Sequence, residues 1–340
     1  MAPSQGTVLW LVVPLIIIAA TVAMSGRLPT EHGGDLLVSS NACAGDGCGQ
    51  AASVAVANVA SEPVAAPPVA CTGLEGGSEY VSSVAPPGPL SAPSAVVVEM
   101  STGETLYELN PHESRAPASL TKIATALVTL DHAALDDIVD IDVDGAELSR
   151  STDSTVMGLE PGQTLSVRDL LYGLLLPSGN DAALQLAEYV GGGTLPFADM
   201  MNAKALDLGL YDTNFANPHG LDEPDHYTSA YDIAMLGRTL MQQPDLAAIV
   251  GTRVYTPAWD GPSVWNGNRL LNLYPGIIGT KTGFTDNAGQ TIVGTAERDG
   301  LQMVVSVMGS ENVYGDAIKL LDWAFTVGAS ACGGQGGSPN

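Results

Sequence analysis

The chain has few basic residues, with only 12 Lys and Arg residues against 37 Asp and Glu residues in a length of 340. The formal net charge is −25 at pH 7. Proteins that bind nucleic acid carry a basic surface, and attraction to anionic lipid head groups also requires clustered Lys and Arg. The charge therefore argues against both kinds of partner, and its remaining consequence is solubility.

Cysteine is also rare. The four residues all lie outside the apparent folded core: Cys43, Cys48, Cys71 and Cys332. Four cysteines allow three different pairings. In an oxidising compartment, the simplest choice joins Cys43 to Cys48 in a small loop and Cys71 to Cys332 across the two ends of the core. Free thiols are the alternative, and without nearby histidines no metal site is expected.

Charged residues are missing from one long apolar run near the N-terminus. This run extends over 17 residues, from Val8 to Met24, and Arg27 ends it. It is long for the apolar part of a secretory signal and short for a membrane span. Residues 1–25 are therefore predicted to be either a signal, cleaved near Ala23-Met24-Ser25, or a retained membrane anchor. Both alternatives predict a location outside the cytoplasm.

Aromatic residues and hydrophobic periodicity are nearly missing from residues 26–90, which consist mainly of Ala, Val, Pro, Gly and Ser. This composition is typical of an extended linker. The folded part is predicted to span residues 91–328, followed by a disordered tail at 329–340. Strand patterns lie at both ends of the folded part and helical patterns lie between them. This order predicts an α+β fold whose sheet is built from distant segments.

The segment around which the folded part is organised is 117–122, Pro-Ala-Ser-Leu-Thr-Lys, which precedes apolar residues at helical spacing. The spacing predicts a helix with Ser119 and Lys122 one turn apart on its buried face. Burial favours the neutral form of a lysine amine, and a neutral amine beside a serine can accept the hydroxyl proton. The alternatives are that Ser119 only caps the helix and that Lys122 extends to the surface.

Two further motifs place polar side chains in a turn and at a strand end. Ser178-Gly179-Asn180 lies between two helical patterns, where Ser and Asn commonly act as caps. Its hydroxyl could also relay a proton, and its amide could hold a peptide group. The second motif lies at the end of a predicted strand. Its Lys281 and Thr282 could bind a carboxylate, and Gly283 allows close approach of a substrate backbone. A phosphate-binding loop is not expected there, because Thr280 separates the lysine from the preceding glycine.

Two weaker patterns are not assigned a function. Residues 140–145 resemble the start of a calcium-binding loop, but Ser151 stands where that loop requires glutamate. His219 is not accompanied by a serine in a Gly-x-Ser-x-Gly turn. We therefore predict no metal at the first pattern and a structural role for His219.

Ser-x-x-Lys, Ser-x-Asn and Lys-Thr-Gly occur in this order along the folded part. With this ordered set of motifs, the sequence resembles the D-alanyl-D-alanine carboxypeptidases. These are serine DD-peptidases among the low-molecular-mass penicillin-binding proteins. The resemblance implies a β-lactamase/transpeptidase-like fold, with an antiparallel sheet flanked by helices and an inserted helical subdomain. It also implies an exported enzyme that removes the terminal D-alanine from peptidoglycan stem peptides, is acylated by β-lactam antibiotics and needs no cofactor or metal.

The resemblance also implies a role for each motif residue. Ser119 would form the acyl-enzyme, Lys122 would accept its proton, and Ser178 would pass a proton toward the leaving D-alanine. An oxyanion hole would be formed by the backbone N–H groups of Ser119 and Phe284. The residues implied in substrate binding are Asn180, Lys281, Thr282, Gly283 and Phe284.

Two departures from the resemblance leave other activities open. The better-known members of the family carry a further β-rich domain and a C-terminal anchor, so any anchor here is expected at the N-terminus. Some members place an arginine near the start of the last core helix for the substrate carboxylate, whereas residues 311–316 are acidic. The alternatives are a DD-endopeptidase, a weak β-lactamase and a non-catalytic wall scaffold. A β-lactamase fits less well, because the chain has no Glu-x-x-Leu-Asn segment.

Overall fold

The structure is a computed structural model that describes residues 84–85, 87–257 and 261–334, with side chains up to residue 329. The expected export segment, most of the expected linker and the side chains of all four cysteines lie outside the described residues. Within these ranges, no helix is both long enough and apolar enough to cross a membrane.

The elements follow one another as strand patterns at both ends and helices between them. The strands are β1 (Ser94–Glu99), β2 (Thr105–Leu109), β3 (Ile138–Asp140), β4 (Thr164–Ser166), β5 (Val254–Tyr255), β6 (Val264–Trp265), β7 (Ile277–Thr285), β8 (Gly289–Arg298) and β9 (Leu301–Ser310). The helices are α1 (Lys122–His132), α2 (Gly145–Thr152), α3 (Val167–Leu175), α4 (Asn180–Gly191), α5 (Thr194–Asp207), α6 (Ala230–Met241), α7 (Pro244–Gly251), α8 (Leu270–Leu273) and α9 (Val313–Gly334). A short 3-10 helix, Ala118–Thr121, directly precedes α1.

The main sheet is antiparallel, with the strand order β2-β1-β9-β8-β7. Strand β1 is buried along its whole length because both faces of the sheet are covered. Val96 and Val98 pack into the core shared with the helical region, whereas Val97 packs into the core shared with α9. This two-sided burial explains why β1 is a continuous valine run rather than an alternating pattern. The predicted fold class, α+β with a sheet flanked by helices, is confirmed.

Helix α1 lies in the middle of the helical region and packs against α3, α4, α5 and α6. Residues 122–129 are all buried, so the helix is covered on every side and not only along the predicted apolar stripe. The Ser-x-x-Lys motif at its start is therefore held by contacts from several directions.

Several predicted boundaries differ from the observed ones. The strand predicted at 139–143 is the shorter β3, and the one predicted at 253–257 is β5, of only two residues. The helix predicted at 317–325 is α9, which begins at Val313 and continues to Gly334. It therefore extends into the segment from 329 that was expected to be a disordered tail. In the pattern that resembles the start of a calcium-binding loop, Asp144 caps α2 by accepting a hydrogen bond from the Glu147 N–H.

Candidate active site

The turn that carries Ser119 has an unusual backbone. Ala118 has a φ of 49°, a left-handed conformation that residues other than glycine rarely adopt. Gly220 lies directly against this turn, and a Cβ at that position would collide with the Ala118 carbonyl. One helix that carries both Ser119 and Lys122 was expected, but Ser119 belongs to the 3-10 helix before α1.

The Lys122 amine is fully buried, and its Nζ has three oxygen neighbours. It lies 3.0 Å from Ser119 Oγ, 2.7 Å from Asn180 Oδ1 and 2.5 Å from the carbonyl oxygen of His219. Amide and carbonyl oxygens only accept hydrogen bonds, so the two hydrogens of a neutral amine are directed to Asn180 and His219. The nitrogen lone pair then faces the Ser119 hydroxyl, which donates to it.

Burial lowers the pKa of Lys122 well below its ordinary value of 10.5. The positive charge of Lys281 lowers it further, while the carboxylate of Asp181 opposes both effects. Burial also lowers the pKa of Lys281, to about 7. The neutral Lys122 amine that proton acceptance requires is therefore favoured by its surroundings.

The turn before α4 contributes Ser178 and Asn180 to the site. Ser178 has a φ of 69°, and its hydroxyl is buried without a hydrogen-bond partner among the described residues. Asn180 directs its carbonyl oxygen to Lys122, which leaves its amide nitrogen as a donor. A buried, unpartnered hydroxyl is costly, which is consistent with a group that acts on a substrate.

Strand β7 forms the opposite wall and is an edge of the described sheet. Gly283 comes so close to the nucleophile turn that a Cβ there would lie 2.9 Å from the Ser119 nitrogen. Thr282, Gly283 and Phe284 line the cleft. Lys281 is buried behind them, and its Nζ donates to the Thr282 carbonyl oxygen at 2.8 Å.

These walls enclose a cleft of about 700 Å³ that opens over Ser119. The structure thus gathers the predicted residues at one place, although neither Lys122 nor Lys281 itself lines the cleft. The lining comes mainly from the turn that carries Ser119, the segment after α2, the turn before α4, the loop that contains His219, and β7, with further residues from β8 and α9. Such a cleft, with a buried amine–hydroxyl pair at its base, suits an acyl-transfer reaction.

The wall of the cleft is acidic. Asp153, Asp222 and Asp286 line it, and none of its lining residues within the described ranges is Lys or Arg. Asp222 accepts a hydrogen bond from the Thr285 hydroxyl at 2.9 Å. The described lining therefore offers no cationic side chain to a substrate.

A family model described as D-alanyl-D-alanine carboxypeptidase matches residues 80–312 of the chain. The chain belongs to this family. Carboxypeptidase DacF of Bacillus subtilis is 36% identical over 242 residues, which are 69% of this chain and 62% of that protein. Carboxypeptidase DacB2 of Mycobacterium tuberculosis is 36% identical over 260 residues, which are 74% of this chain and 87% of that protein.

Solved structures of DD-peptidases have the same fold. Penicillin binding protein 6B from Escherichia coli matches with a TM-score of 0.66 and 36% identity, over 71% of this chain and 79% of that chain. A point mutant of a Streptomyces DD-transpeptidase matches with a TM-score of 0.67 and 30% identity, over 70% and 99% of the two chains. The chain spans 62%, 64% and 66% of the length of DacF of Bacillus subtilis and of DacD of Escherichia coli and Salmonella typhimurium.

Neither acidic residue of the segment 311–316 lines the cleft. The Asp316 carboxylate is buried and accepts hydrogen bonds from the Ser91 N–H, the Ala92 N–H and the Ser310 hydroxyl, at 3.0, 3.0 and 2.8 Å. It therefore joins the start of the folded part to α9. Tyr314, and not Asp316, lines the cleft.

No sequence pattern indicated a role for Asp181, which the structure places under the site. Its buried carboxylate accepts hydrogen bonds from the N–H groups of residues 157–159 at 2.8, 2.8 and 2.9 Å. It thereby holds the segment after α2 along the cleft. The signal available in the sequence was a carboxylate that directly follows Asn180 and precedes alanines at the start of a helix. Within the described residues, no group of His, Cys, Asp and Glu could hold a metal ion.

Proposed function

We propose that the protein is a serine DD-carboxypeptidase that removes the terminal D-alanine from peptidoglycan stem peptides. The observation that carries this proposal is the 3.0 Å contact between the fully buried Lys122 amine and the Ser119 hydroxyl. A neutral amine in this position activates the serine as a nucleophile without a metal or cofactor. Because penicillins acylate the same kind of nucleophile, they are proposed as ligands of the same site.

In the first step, Ser119 Oγ attacks the carbonyl carbon of the bond between the two D-alanines, and its proton moves to Lys122 Nζ. The carbonyl oxygen becomes negatively charged, and we assign its stabilisation to the backbone N–H groups of Ser119 and Phe284. The new ammonium group keeps Asn180 and His219 as hydrogen-bond acceptors. The charges that develop are thus met by groups already in place.

In the second step, the C–N bond breaks and the leaving D-alanine amine takes a proton. We propose that the proton comes from Lys122 and that Ser178 relays it to the leaving amine, because the Ser178 hydroxyl is buried without a partner among the described residues. A water molecule then attacks the ester carbon, with Lys122 again accepting a proton. The bond between Ser119 Oγ and the carbonyl carbon then breaks, Ser119 takes the proton from Lys122, and the shortened peptide leaves.

Substrate binding is proposed to use the remaining motif residues. The Asn180 amide nitrogen donates to a carbonyl oxygen of the stem peptide, and Gly283 allows the peptide backbone to lie alongside β7. Lys281 and Thr282 face the terminal carboxylate, with the lysine charge acting from behind the threonine. Phe284, which is exposed at the rim, offers an apolar surface to the peptide.

The proposed substrate also constrains the location of the protein. Peptidoglycan lies outside the cytoplasmic membrane, so the reaction requires an exported enzyme. We therefore propose that residues 1–25 act as an export signal or as an N-terminal membrane anchor. Residues 26–90 would then separate the catalytic domain from the membrane.

A DD-endopeptidase is the second candidate. The absence of Lys and Arg among the described lining residues of the cleft favours it, because an exposed cation would select peptides with a free terminal carboxylate. Cleavage of cross-linked peptides uses the same acylation step. Only the leaving group differs.

Mass spectrometry after incubation with a D-Ala-D-Ala pentapeptide, a cross-linked peptide dimer and a penicillin tests both candidates. We expect release of one D-alanine from the pentapeptide and a penicillin adduct on the fragment that contains Ser119. Ser119→Ala should abolish both, whereas Ser151→Ala, an exposed serine on α2, should leave both intact. Cleavage of the dimer alone would favour the endopeptidase, and an adduct on another serine would overturn the site.

A further inference from the structure

A buried chain of hydrogen bonds connects His226 to the peptide group that precedes Ser119. The Ala216 N–H donates to His226 Nδ1 at 2.9 Å. Since Nδ1 accepts, the neutral ring carries its hydrogen on Nε2, which donates to the Thr121 hydroxyl at 2.9 Å. The Thr121 hydroxyl in turn donates to the Ala118 carbonyl oxygen at 2.8 Å. Each donor in the chain therefore has one acceptor, and the direction of the chain is fixed.

The residues of this chain are isolated from solvent. His226 is 5% exposed and Thr121 is fully buried. Burial lowers the pKa of His226 to about 4, the Lys122 charge lowers it as well, and Asp222 opposes them. The ring is therefore neutral in the pH range in which the enzyme would work. Its tautomer is set by the Ala216 N–H.

The Ala118 carbonyl and the Ser119 N–H belong to one trans peptide group. Because that group is planar, the two bonds point in opposite directions. A hydrogen bond that holds the carbonyl oxygen therefore also sets the direction of the Ser119 N–H. Among the described residues, no acceptor receives this N–H.

The same peptide group is also held from a second side. Gly220 lies against the Ala118 carbonyl, and Ala118 keeps a φ of 49°. A strained backbone conformation persists only where the surroundings hold it in place. Without the Thr121 hydroxyl, one of these two restraints on the peptide is lost.

We infer that His226 and Thr121 are positioning residues for the oxyanion hole, acting through the Ala118–Ser119 peptide. His226 orients the Thr121 hydroxyl, and the hydroxyl holds the Ala118 carbonyl so that the Ser119 N–H faces the reacting carbonyl group. The inference rests on the proposed function, since it assumes that an oxyanion forms beside Ser119. Neither side chain touches the substrate.

Two pairs of variants test the inference. Thr121→Val keeps the shape of the side chain and removes the hydroxyl, whereas Thr121→Ser keeps the hydroxyl. His226→Phe keeps an aromatic ring without a donor, whereas the amide of His226→Gln can still donate to Thr121. Thr129→Val is the control, because Thr129 is a buried threonine of α1 whose hydroxyl bonds only to the Thr125 carbonyl.

Removal of one oxyanion donor lowers kcat by about 10²–10³-fold, so a misdirected donor should cost about 10–100-fold. We expect this loss in kcat, with KM nearly unchanged, for Thr121→Val and His226→Phe. Thr121→Ser and His226→Gln should restore most of the rate. Affinity for a peptide boronic acid, whose tetrahedral adduct places an oxygen in the oxyanion hole, should fall in the same ratio.

Thermal melting separates positioning from stability. Thr129→Val should lower the melting temperature without lowering kcat. A kcat for folded Thr121→Val equal to that of the wild type, or an equal loss of kcat in Thr129→Val, would overturn the inference. A loss that falls on KM alone would do the same.

Penicillin acylation distinguishes this inference from the proposed function. If the wild-type protein is acylated at Ser119 but releases no D-alanine, the proposed function fails, while the acylation rates of the variants still decide the role of His226. If D-alanine is released normally by all the variants, only the inference fails. If Ser119 is not acylated at all, both are overturned.

Discussion

Lys122 and Lys281 place two buried amines in one site, with exposed fractions of 0% and 2%. Lys122 contacts the nucleophile, whereas Lys281 donates to the carbonyl of Thr282 on the facing strand. After burial, the charge of Lys281 is the next largest cause of the lowered pKa of Lys122. In the proposed mechanism, Lys122 accepts the proton of Ser119, and Lys281 lowers the pKa of Lys122.

Replacing Lys281 by alanine should move the pH dependence of acylation. In the wild-type protein, the rate of acylation by penicillin should rise through a pKa well below 10.5, as Lys122 becomes neutral. Lys281→Ala removes a neighbouring positive charge, so this rise should shift to higher pH. Stopped-flow acylation across the pH range measures the shift. Lys204→Ala is the control, since Lys204 pairs with Asp131 away from the cleft, and an unshifted profile in Lys281→Ala would mean that burial alone sets the pKa.

Replacing Asp181 by asparagine should move the same profile in the opposite direction. The Asp181 carboxylate raises the pKa of Lys122, so its removal should shift the rise in acylation to lower pH. Asp181→Asn also replaces an acceptor oxygen that faces the N–H groups of residues 157–159, which should cost about 2–3 kcal/mol of stability.

Urea unfolding and the acylation profile measure these two effects of Asp181→Asn separately. Asp144→Asn is a suitable control, because Asp144 is an exposed helix cap. It should leave both the stability and the profile nearly unchanged, because Asn and Asp are about equally good helix caps. A shift to higher pH in Asp181→Asn would contradict the assigned sign of the interaction.

The contact between Ser119 and Lys122 could be predicted from the sequence because it is local. Residues three positions apart in a helical turn lie on the same side, and this holds although the turn is a 3-10 helix. The strands of the main sheet could also be predicted from the sequence, because runs of β-branched residues between turn residues mark them. Their common feature is that each signal lies within a few residues.

The remaining contacts of Lys122 could not be derived in this way. Asn180 and His219 lie 58 and 97 positions from it in the chain, and no periodicity reports such a distance. His219 was predicted to be structural, yet its backbone carbonyl is one of the acceptors that orient the Lys122 amine. The contact between Thr121 and His226 could not be predicted for the same reason, because their hydrogen bond spans 105 positions.

His226 should make the stability of the protein depend on pH. Burial lowers its pKa from 6.5 in the unfolded chain to about 4 in the folded one. Between these values the unfolded state binds more protons, so stability should fall as the pH drops through this range. One pKa unit corresponds to about 1.4 kcal/mol, so the loss is on the order of 3 kcal/mol.

Chemical unfolding at several pH values between 6.5 and 4.5 measures this loss. Carboxylates also titrate in the lower part of the range, so the informative quantity is the difference between the wild-type protein and His226→Gln. The variant should lose less stability over the range, although it starts from a lower value. Parallel curves for the two proteins would show that His226 does not carry the effect.

The start of the folded part should depend on Asp316. Burial raises the pKa of this carboxyl group, but hydrogen bonds from Ser91, Ser310 and Ala92 outweigh burial and bring the pKa below 3.8. A chain that begins at Ser94 lacks the donors of Ser91 and Ala92, and leaves a buried carboxylate with few partners. Compared with a chain that begins at Val84, it should lose about 3 kcal/mol of stability or more.

A double-mutant cycle in urea separates this loss from other effects of shortening the chain. In the Asp316→Ala background, the same shortening should cost much less, because no buried charge is left without partners. Val84 and Leu90 also pack against the core formed with α9, and their loss is common to both backgrounds. An equal cost in the two backgrounds would assign the stabilisation to these apolar contacts, whereas a larger cost with Asp316 present assigns it to the hydrogen bonds that join Ser91 and Ala92 to α9.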